Sequence, residues 1–482
     1  MKPNILLIMT DQHSPHISGC YGDPLVRTPN LDRLAHDGMR FNETYCASPV
    51  CGPSRLSFMT CRTPTHNRVW NNQHLLNPGT PTWAHTLGLA GYETSLIGRM
   101  HFEGPDQHHG FENRPCGELF ASHPGVTTSR HRFPSGQDRT AVEKSGYGTG
   151  EYAWMDQHIT EAACDYLKDH RDNDRPFAAV VVYVLPHCPY IAPKDLFDYY
   201  HDKVDIPSIE ADQPAMIQWY RESRRQDMPI DDVHIRAARA AYYGMVEQVD
   251  AMIGRVLQSL ADAGHADDTL VIYCSDHGEM LGEHGCWTKN NYYDASVRVP
   301  MIARWPGVIT PVTTSDTICN LIDLGSTFAD VAGAEDTPAW DGRSLLPLMR
   351  GDGDDWINET CSEVVDESTD PQIPSRMIRS GRWKLWTHLD SDGSMPVTLF
   401  DMQDDRGELH NLADDPAHRD VRDALLTKVL DGWDAAAIQA ESMRRRGDRH
   451  LLVRWGKKLG PILPEQMAPP PDDLEDDVVI AH

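Results

Sequence analysis

The stretch "NILLIMTDQ", residues 4–12, is an unbroken apolar run that closes on an acid and an amide. A run this short, with no polar alternation, reads as a strand covered on both faces, the situation of a parallel sheet packed between helices. Three further runs have the same form: "TSLIG" at 94–98, "FAAVVVYVL" at 177–185 and "TLVIYCS" at 269–275. Helical stretches lie between them, at 28–38 and 237–264, and the alternation predicts a doubly wound α/β sheet. From residue 361 the pattern changes. "RMIRSGRWKLWTH" (376–388) and "MPVTLFDMQDD" (395–405) read as antiparallel strands, and "RDVRDALLTKVLDGWDAAAIQ" (419–439) as one amphipathic helix. We therefore expect a catalytic domain over 1–360 and a smaller α+β subdomain over 361–482. The proline- and acid-rich "APPPDDLEDD" (468–477) is expected to be poorly ordered.

Composition narrows the function classes. A formal charge of −28 repels nucleic acid and anionic membrane surfaces, so neither is expected as a partner. Eleven cysteines without a C-x-x-C pair indicate neither a disulfide framework nor a zinc ribbon. Their thiols are read as reduced. The first residues run straight into an apolar strand and leave no room for a signal h-region, which points to the cytoplasm. The most apolar run, 177–185, is about half a membrane span, so no transmembrane helix is expected.

Ligands of open α/β sheets collect beyond the carboxyl ends of the strands. The polar residues at those ends are Asp11 and Gln12, Arg99 and His101, His187, and Asp276 with His277. Singly, each has an ordinary structural reading as a cap or a satisfied core histidine; their common placement outweighs it. Asp11, Gln12, Asp276 and His277 offer oxygen ligands with one imidazole, which suits a hard divalent cation such as Ca²⁺, Mg²⁺ or Mn²⁺ better than zinc. The further polar candidates, Arg55, Arg99 and Lys289, are cations standing where a second metal would sit. Such a pocket binds a tetrahedral oxyanion and stabilises charge that develops on transfer.

Two motifs give this chemistry a family. "CGPSR" (51–55), within "YCASPVCGPSRLSFMTCRTP" (45–64), fits the C-x-P-S-R signature, and "SDHGEMLGEHGCWTKNNYYDASVRVPMI" (275–302) fits a second long motif. The chain resembles type I formylglycine-dependent sulfatases, of the arylsulfatase and choline sulfatase branch within the alkaline-phosphatase-like superfamily. "GRMHFEGPDQHHGFE" (98–112) is similar to a choline sulfatase segment, and "LPHCPY" (185–190) to the family's histidine-proline motif. "GRWKLW" (381–386) with "LFDMQDDRGELHNLADDP" (399–416) is similar to its C-terminal subdomain.

The resemblance implies hydrolysis of sulfate esters, with phosphonate monoester or phosphodiester hydrolysis at the same site as the alternative. A non-catalytic binding protein is disfavoured, because nucleophile, ligands and cations are all present. Cys51 would be oxidised to formylglycine by a formylglycine-generating maturation enzyme that reads Pro53 and Arg55. One hydroxyl of the hydrated aldehyde would attack sulfur and the other would expel sulfate. Asp11, Gln12, Asp276, His277 and the group derived from Cys51 would hold one divalent metal, Ca²⁺ ahead of Mn²⁺ or Mg²⁺. Arg55 would hold the diol and the carboxylates, while Arg99 and Lys289 bind sulfate oxygens. His101 would deprotonate the second hydroxyl and His187 protonate the leaving alcohol; Asn72 approaches the substrate or caps a loop.

Two departures stand out: Arg99 occupies a position more often held by lysine, and Cys61 replaces a usual glycine. The substrate is read as a small-molecule or saccharide sulfate ester, met by loops within 103–151 and 207–230. Choline sulfatases close their cationic pocket with an aromatic, acidic C-terminal tail, whereas residues 456–482 contain no Phe, Tyr or Trp. Choline sulfate is therefore expected to be a poor substrate.

Overall fold

Asn4–Thr10 pairs on one side with Thr269–Ser275 and on the other with Phe177–Val182, both parallel, with Leu7 opposite Ile272 and Val180. The computed structural model describes residues 2–481 apart from 105, 119–121, 124–125, 128–135, 172–174, 211–212, 354 and 460–476. Successive side chains of a strand point to opposite faces. Ile5, Leu7 and Met9 accordingly enter one buried cluster with Phe58, Trp83 and Phe328, while Leu6 and Ile8 enter another with Tyr242, Val249 and Ile253. The helices Cys51–Thr60, Trp83–Leu89 and Ile322–Ala332 thus cover one face, and Glu151–Asp169 and Asp232–Asp262 the other.

The main sheet has eight strands, in the order 313–315, 39–41, 301–304, 269–275, 4–10, 177–182, 93–98 and 113–116. Seven run parallel. The four runs read as parallel strands are parallel, and Met301–Arg304, which is not among them, runs against both neighbours. A parallel return needs a long crossover, normally a helix. Between 275 and 301 the chain forms only a 3₁₀ turn and the four-residue helix Asp294–Val297, so it comes back beside the strand it left in the opposite sense.

The strands Glu359–Asp366, Ile373–Ser380, Trp383–His388 and Val397–Asp401 form a smaller antiparallel sheet, as the pattern from residue 361 predicts. Two helices follow, Arg419–Leu430 and Ala435–Leu459, where one had been expected over 419–439. Gly432, at φ 64°, stops the first helix in a left-handed conformation, and Trp433 then buries against a cluster containing Trp70 and Val365. All of "APPPDDLEDD" but Asp477 lies outside the described residues; beyond it Val479–Ile480 pairs antiparallel with Gly146–Tyr147. Among the described residues no helix is long and apolar enough to cross a membrane.

Candidate active site

The sequence-selected residues at the strand ends meet the N-terminus of the helix Cys51–Thr60, which opens on Cys51 itself. Cys51 Sγ lies 3.4 Å from Asp11 Oδ1 and 3.1 Å from His277 Nε2. Among the described residues, Asp11, Cys51, Asp276 and His277 present four ligand atoms that all lie within 4.8 Å of one another, every one of them buried. Gly98 makes a neighbouring approach possible: at φ 108° it ends its strand against the Val182 carbonyl, where a β-carbon would overlap. The chain then turns to present Arg99 and His101.

Arg55 organises the carboxylates from below. Its Nη2 donates to Asp11 Oδ2 at 2.8 Å, its Nε to Asp276 Oδ2 at 2.7 Å and its Nη1 to the Arg99 carbonyl. Arg99 Nη1 adds a second donor to Asp11 Oδ2 at 2.6 Å, and its Nη2 meets His101 Nδ1 at 2.9 Å. Each carboxylate is therefore held at Oδ2, and its Oδ1 is turned toward Cys51 and His277. Burial alone would raise the Asp11 pKa, but the charges around it, Arg55 first, hold it well below the carboxylate range.

The donor set fits a divalent cation. His277 Nδ1 lies 2.9 Å from the Gly278 carbonyl, which fixes the proton there and leaves the Nε2 lone pair facing the two carboxylates. Two anionic oxygens and one imidazole converge on one point, as a hard cation requires. Gln12, at φ 72°, donates its backbone N–H to Asp276 Oδ1 at 3.0 Å; its side-chain oxygen accepts from Lys289 and its amide N–H donates to Glu279.

The remaining cations and histidines frame the opposite wall. Lys289 Nζ sits 2.7 Å from His187 Nε2, and His187 Nδ1 lies 2.5 Å from the Cys188 carbonyl. Burial, together with Lys289, holds His187 neutral, well below its ordinary pKa. Burial and Arg99 do the same to His101. The Cys51 thiol is pushed up to about 12, by burial and then by Asp11. An unmodified thiol at this position stays protonated at neutral pH and is a poor nucleophile.

Asn72 Oδ1 accepts the Gly52 N–H at 2.8 Å, which ties the first turn behind Cys51 to this loop. Cys61, at φ 53°, is the left-handed end of the same helix, which explains why glycine is common there, and Gly325 leaves room for its sulfur. Within 207–230, the helix Ala215–Ser223 sends the Tyr220 hydroxyl to the Lys289 carbonyl at 2.7 Å and buttresses that loop from behind. Of the 103–151 segment, 105, 119–121, 124–125 and 128–135 lie outside the described residues.

Two contributors escape sequence reasoning. Glu279 accepts from Gln12, from the Leu281 N–H at 2.7 Å and from the Thr288 N–H at 2.7 Å; its only signal is its place two residues after His277. Asp156 accepts the Val184 and Leu185 N–H groups at 2.8 Å each and holds the turn that leads to His187. It lies mid-helix, with no local signal.

The sulfatase family model matches residues 3–334, and that of the N-sulphoglucosamine sulphohydrolase C-terminal region matches 282–434. The choline-sulfatase of Rhizobium meliloti is 33% identical, with 94% of this chain and 92% of that protein covered. An arylsulfatase from Clostridium perfringens is 29% identical, covering 90% and 95%. Among solved structures, a phosphonate monoester hydrolase from Silicibacter pomeroyi superposes with a TM-score of 0.72 at 26% identity, covering 89% of this chain and 95% of that one.

Proposed function

The chain belongs to the sulfatase family, whose activity is hydrolysis of sulfuric esters, and we propose that it works through a formylglycine made from Cys51 beside one Ca²⁺ ion. The observation that carries this reading is the meeting of Cys51 Sγ with Asp11, Asp276 and His277 at a helix N-terminus, each carboxylate tied back by Arg55. Asp11, Gln12, Asp276 and His277 would hold the cation; Mn²⁺ and Mg²⁺ are the alternatives. When present, the cation polarises the sulfate oxygens and the hydrated aldehyde at position 51 supplies the oxygen that attacks sulfur.

The chain's own residues do the rest. Arg99 and Lys289 bind sulfate oxygens and neutralise charge that builds on them. Arg99 brings a planar fork to a position where lysine is common, so it can serve Asp11 and a sulfate oxygen together. His101 is neutral and its Nδ1 accepts from Arg99, so Nε2 carries the ring proton and can hydrogen-bond the diol; Nδ1 takes the proton of the second hydroxyl once Arg99 releases it. His187 Nε2 hands a proton to the leaving alcohol oxygen. A bound anionic ester raises the His187 pKa by offsetting Lys289, so the proton arrives with the substrate. Asn72 keeps the Cys51 turn in place.

We assign catalysis to 1–360, with 361–482 as the supporting subdomain. The cysteines, all unpaired, support a reducing compartment and the cytoplasm. A formylglycine-generating enzyme is the partner that maturation requires. The substrate is a small-molecule or saccharide sulfate ester; an aromatic-poor C-terminal end argues against choline sulfate. Phosphonate monoester hydrolysis is the second reading, supported by the likeness to the Silicibacter enzyme.

Peptide mass spectrometry of the active protein should find Cys51 as formylglycine. Paired assays should give a higher kcat/KM for an aryl sulfate than for an aryl phosphonate monoester. Full sulfatase turnover by Cys51→Ala would refute the nucleophile, and the reverse kcat/KM order would favour the second reading.

A further inference from the structure

Lys289 is flanked by two residues in the left-handed region, Thr288 at φ 67° and Asn290 at φ 83°. For a β-branched threonine this is a genuine outlier, and such backbone persists only where its surroundings over-determine it. The surroundings can be traced bond by bond. On one side Glu279 accepts the Thr288 N–H at 2.7 Å. At the centre the Tyr220 hydroxyl lies between the Trp287 and Lys289 carbonyls, at 2.5 and 2.7 Å, and ties the two sides of the turn together. On the other side the Asn290 N–H donates to the Pro49 carbonyl at 3.1 Å, and its side-chain Nδ2 to Asp366 Oδ2 at 3.1 Å.

Asp366 is the last residue of the first strand of the small C-terminal sheet and is buried. The same Oδ2 accepts from Arg224 Nη2 at 2.7 Å, and the Arg224 guanidinium lies 4.1 Å from the centre of the Tyr220 ring. One carboxylate oxygen therefore anchors two arms, one through Asn290 and one through Arg224 and Tyr220. One arm ends on Asn290, the residue after Lys289, and the other reaches the Lys289 carbonyl through Tyr220. The segment that follows is gripped by the same subdomain: the Tyr292 hydroxyl meets Ser375 Oγ at 3.0 Å, and Lys384 Nζ meets Asp294 Oδ1 at 2.6 Å.

We propose that Asp366 is a positioning residue for Lys289: the C-terminal subdomain, through this carboxylate and Asn290, holds the strained turn that aims the lysine at His187 and at the sulfate position. The inference rests on the sulfate-binding role assigned to Lys289 above. It gives the subdomain a part in the reaction without any contact with substrate.

The test is a double-mutant cycle in kcat/KM with 4-nitrophenyl sulfate, on proteins matched for formylglycine content by mass spectrometry. Lys289→Ala should lose about a hundredfold or more, as loss of a transition-state charge clamp does. Asp366→Ala should lose about tenfold, because small displacements of a catalytic group cost one to two decades. In the Lys289→Ala background the Asp366→Ala change should cost less than about twofold, since residues acting through one another are not additive. Asn290→Gly is a second probe that keeps the left-handed backbone free of strain and removes only the tie to Asp366. Its loss should likewise vanish without Lys289, so the cycle can be read even if Asp366→Ala fails to fold.

A loss at Asp366 or Asn290 that persists undiminished in the Lys289→Ala background would show a structural role and overturn the proposal. So would losses below twofold in both single variants while Lys289→Ala is impaired. An unimpaired Lys289→Ala would instead overturn the role of the lysine, and this inference with it.

Discussion

Asp276→Asn is a sharp perturbation because both oxygens of the carboxylate already accept hydrogen bonds. Oδ1 accepts the Gln12 N–H at 3.0 Å and the His277 N–H at 2.8 Å, and Oδ2 accepts Arg55 Nε at 2.7 Å. An asparagine has one oxygen and one NH₂, so in either orientation a donor faces a donor. The metal-free variant loses a charge-assisted hydrogen bond, about 1.5–3 kcal/mol. The cation loses an anionic oxygen from its set. Disturbing groups that merely orient a ligand costs roughly 10–100-fold in metal affinity, so losing the ligand itself should cost at least about 100-fold.

At a Ca²⁺ concentration about 100 times the wild-type Kd, binding stabilises the wild type by about 2.7 kcal/mol and a variant with 100-fold weaker affinity by only about 0.4 kcal/mol. The assay is unfolding after chelation, followed by Ca²⁺ titration of both proteins, with the metal-free midpoints measured separately. The Ca²⁺-dependent rise should nearly disappear in Asp276→Asn, and turnover with it. An equal rise in both proteins would refute the placement of the cation at this cluster.

His187→Ala should cost roughly 10²–10⁴-fold on esters of ordinary alcohols but much less on nitrophenyl sulfate, whose leaving oxygen needs little protonation; an equal loss on both would make His187 a binding group. The buried Asp156 carboxyl is raised to about 8 from an ordinary 3.8, mainly by burial. It stays neutral in the fold while the unfolded chain ionises, so its contribution to stability is lost as pH rises from about 4 to about 8. Asp156→Asn should therefore be less stable than the wild type near pH 5 by about 1 kcal/mol, with the gap closing or reversing near pH 8; urea midpoints at the two pH values check this, and a constant gap would contradict it. Choline sulfate should show a lower kcat/KM than an aryl sulfate, and the opposite order would mean that an aromatic cage is assembled from residues other than the C-terminal end.

What depends on neighbours along the chain was legible in the residues alone. Apolar runs such as 4–9 and 269–274 announce buried strands because a strand covered on both faces has no polar alternation. The acids and histidines that follow them could be marked as site residues because sheet topology places every such end on one edge. "CGPSR" is likewise local, since it is a single helical turn. The 419–439 periodicity, by contrast, misled: amphipathic spacing continued across Gly432, whose left-handed backbone breaks the helix.

Matters set by contacts far apart in the chain became visible with the folded arrangement. It turned Met301–Arg304 against its neighbours, because the residues before it are used in the site and not in a crossover. It brought the Asn72 side chain onto the Gly52 N–H, twenty residues away. It brought Glu279 to Gln12, Asp156 to the His187 turn and Asp366 to Asn290, pairs separated by 267, 28 and 76 positions. A buried carboxylate must find donors in three dimensions or leave a costly group unpaired. Its partner is chosen by which segments the packed core brings together, and no local pattern in the chain carries that information.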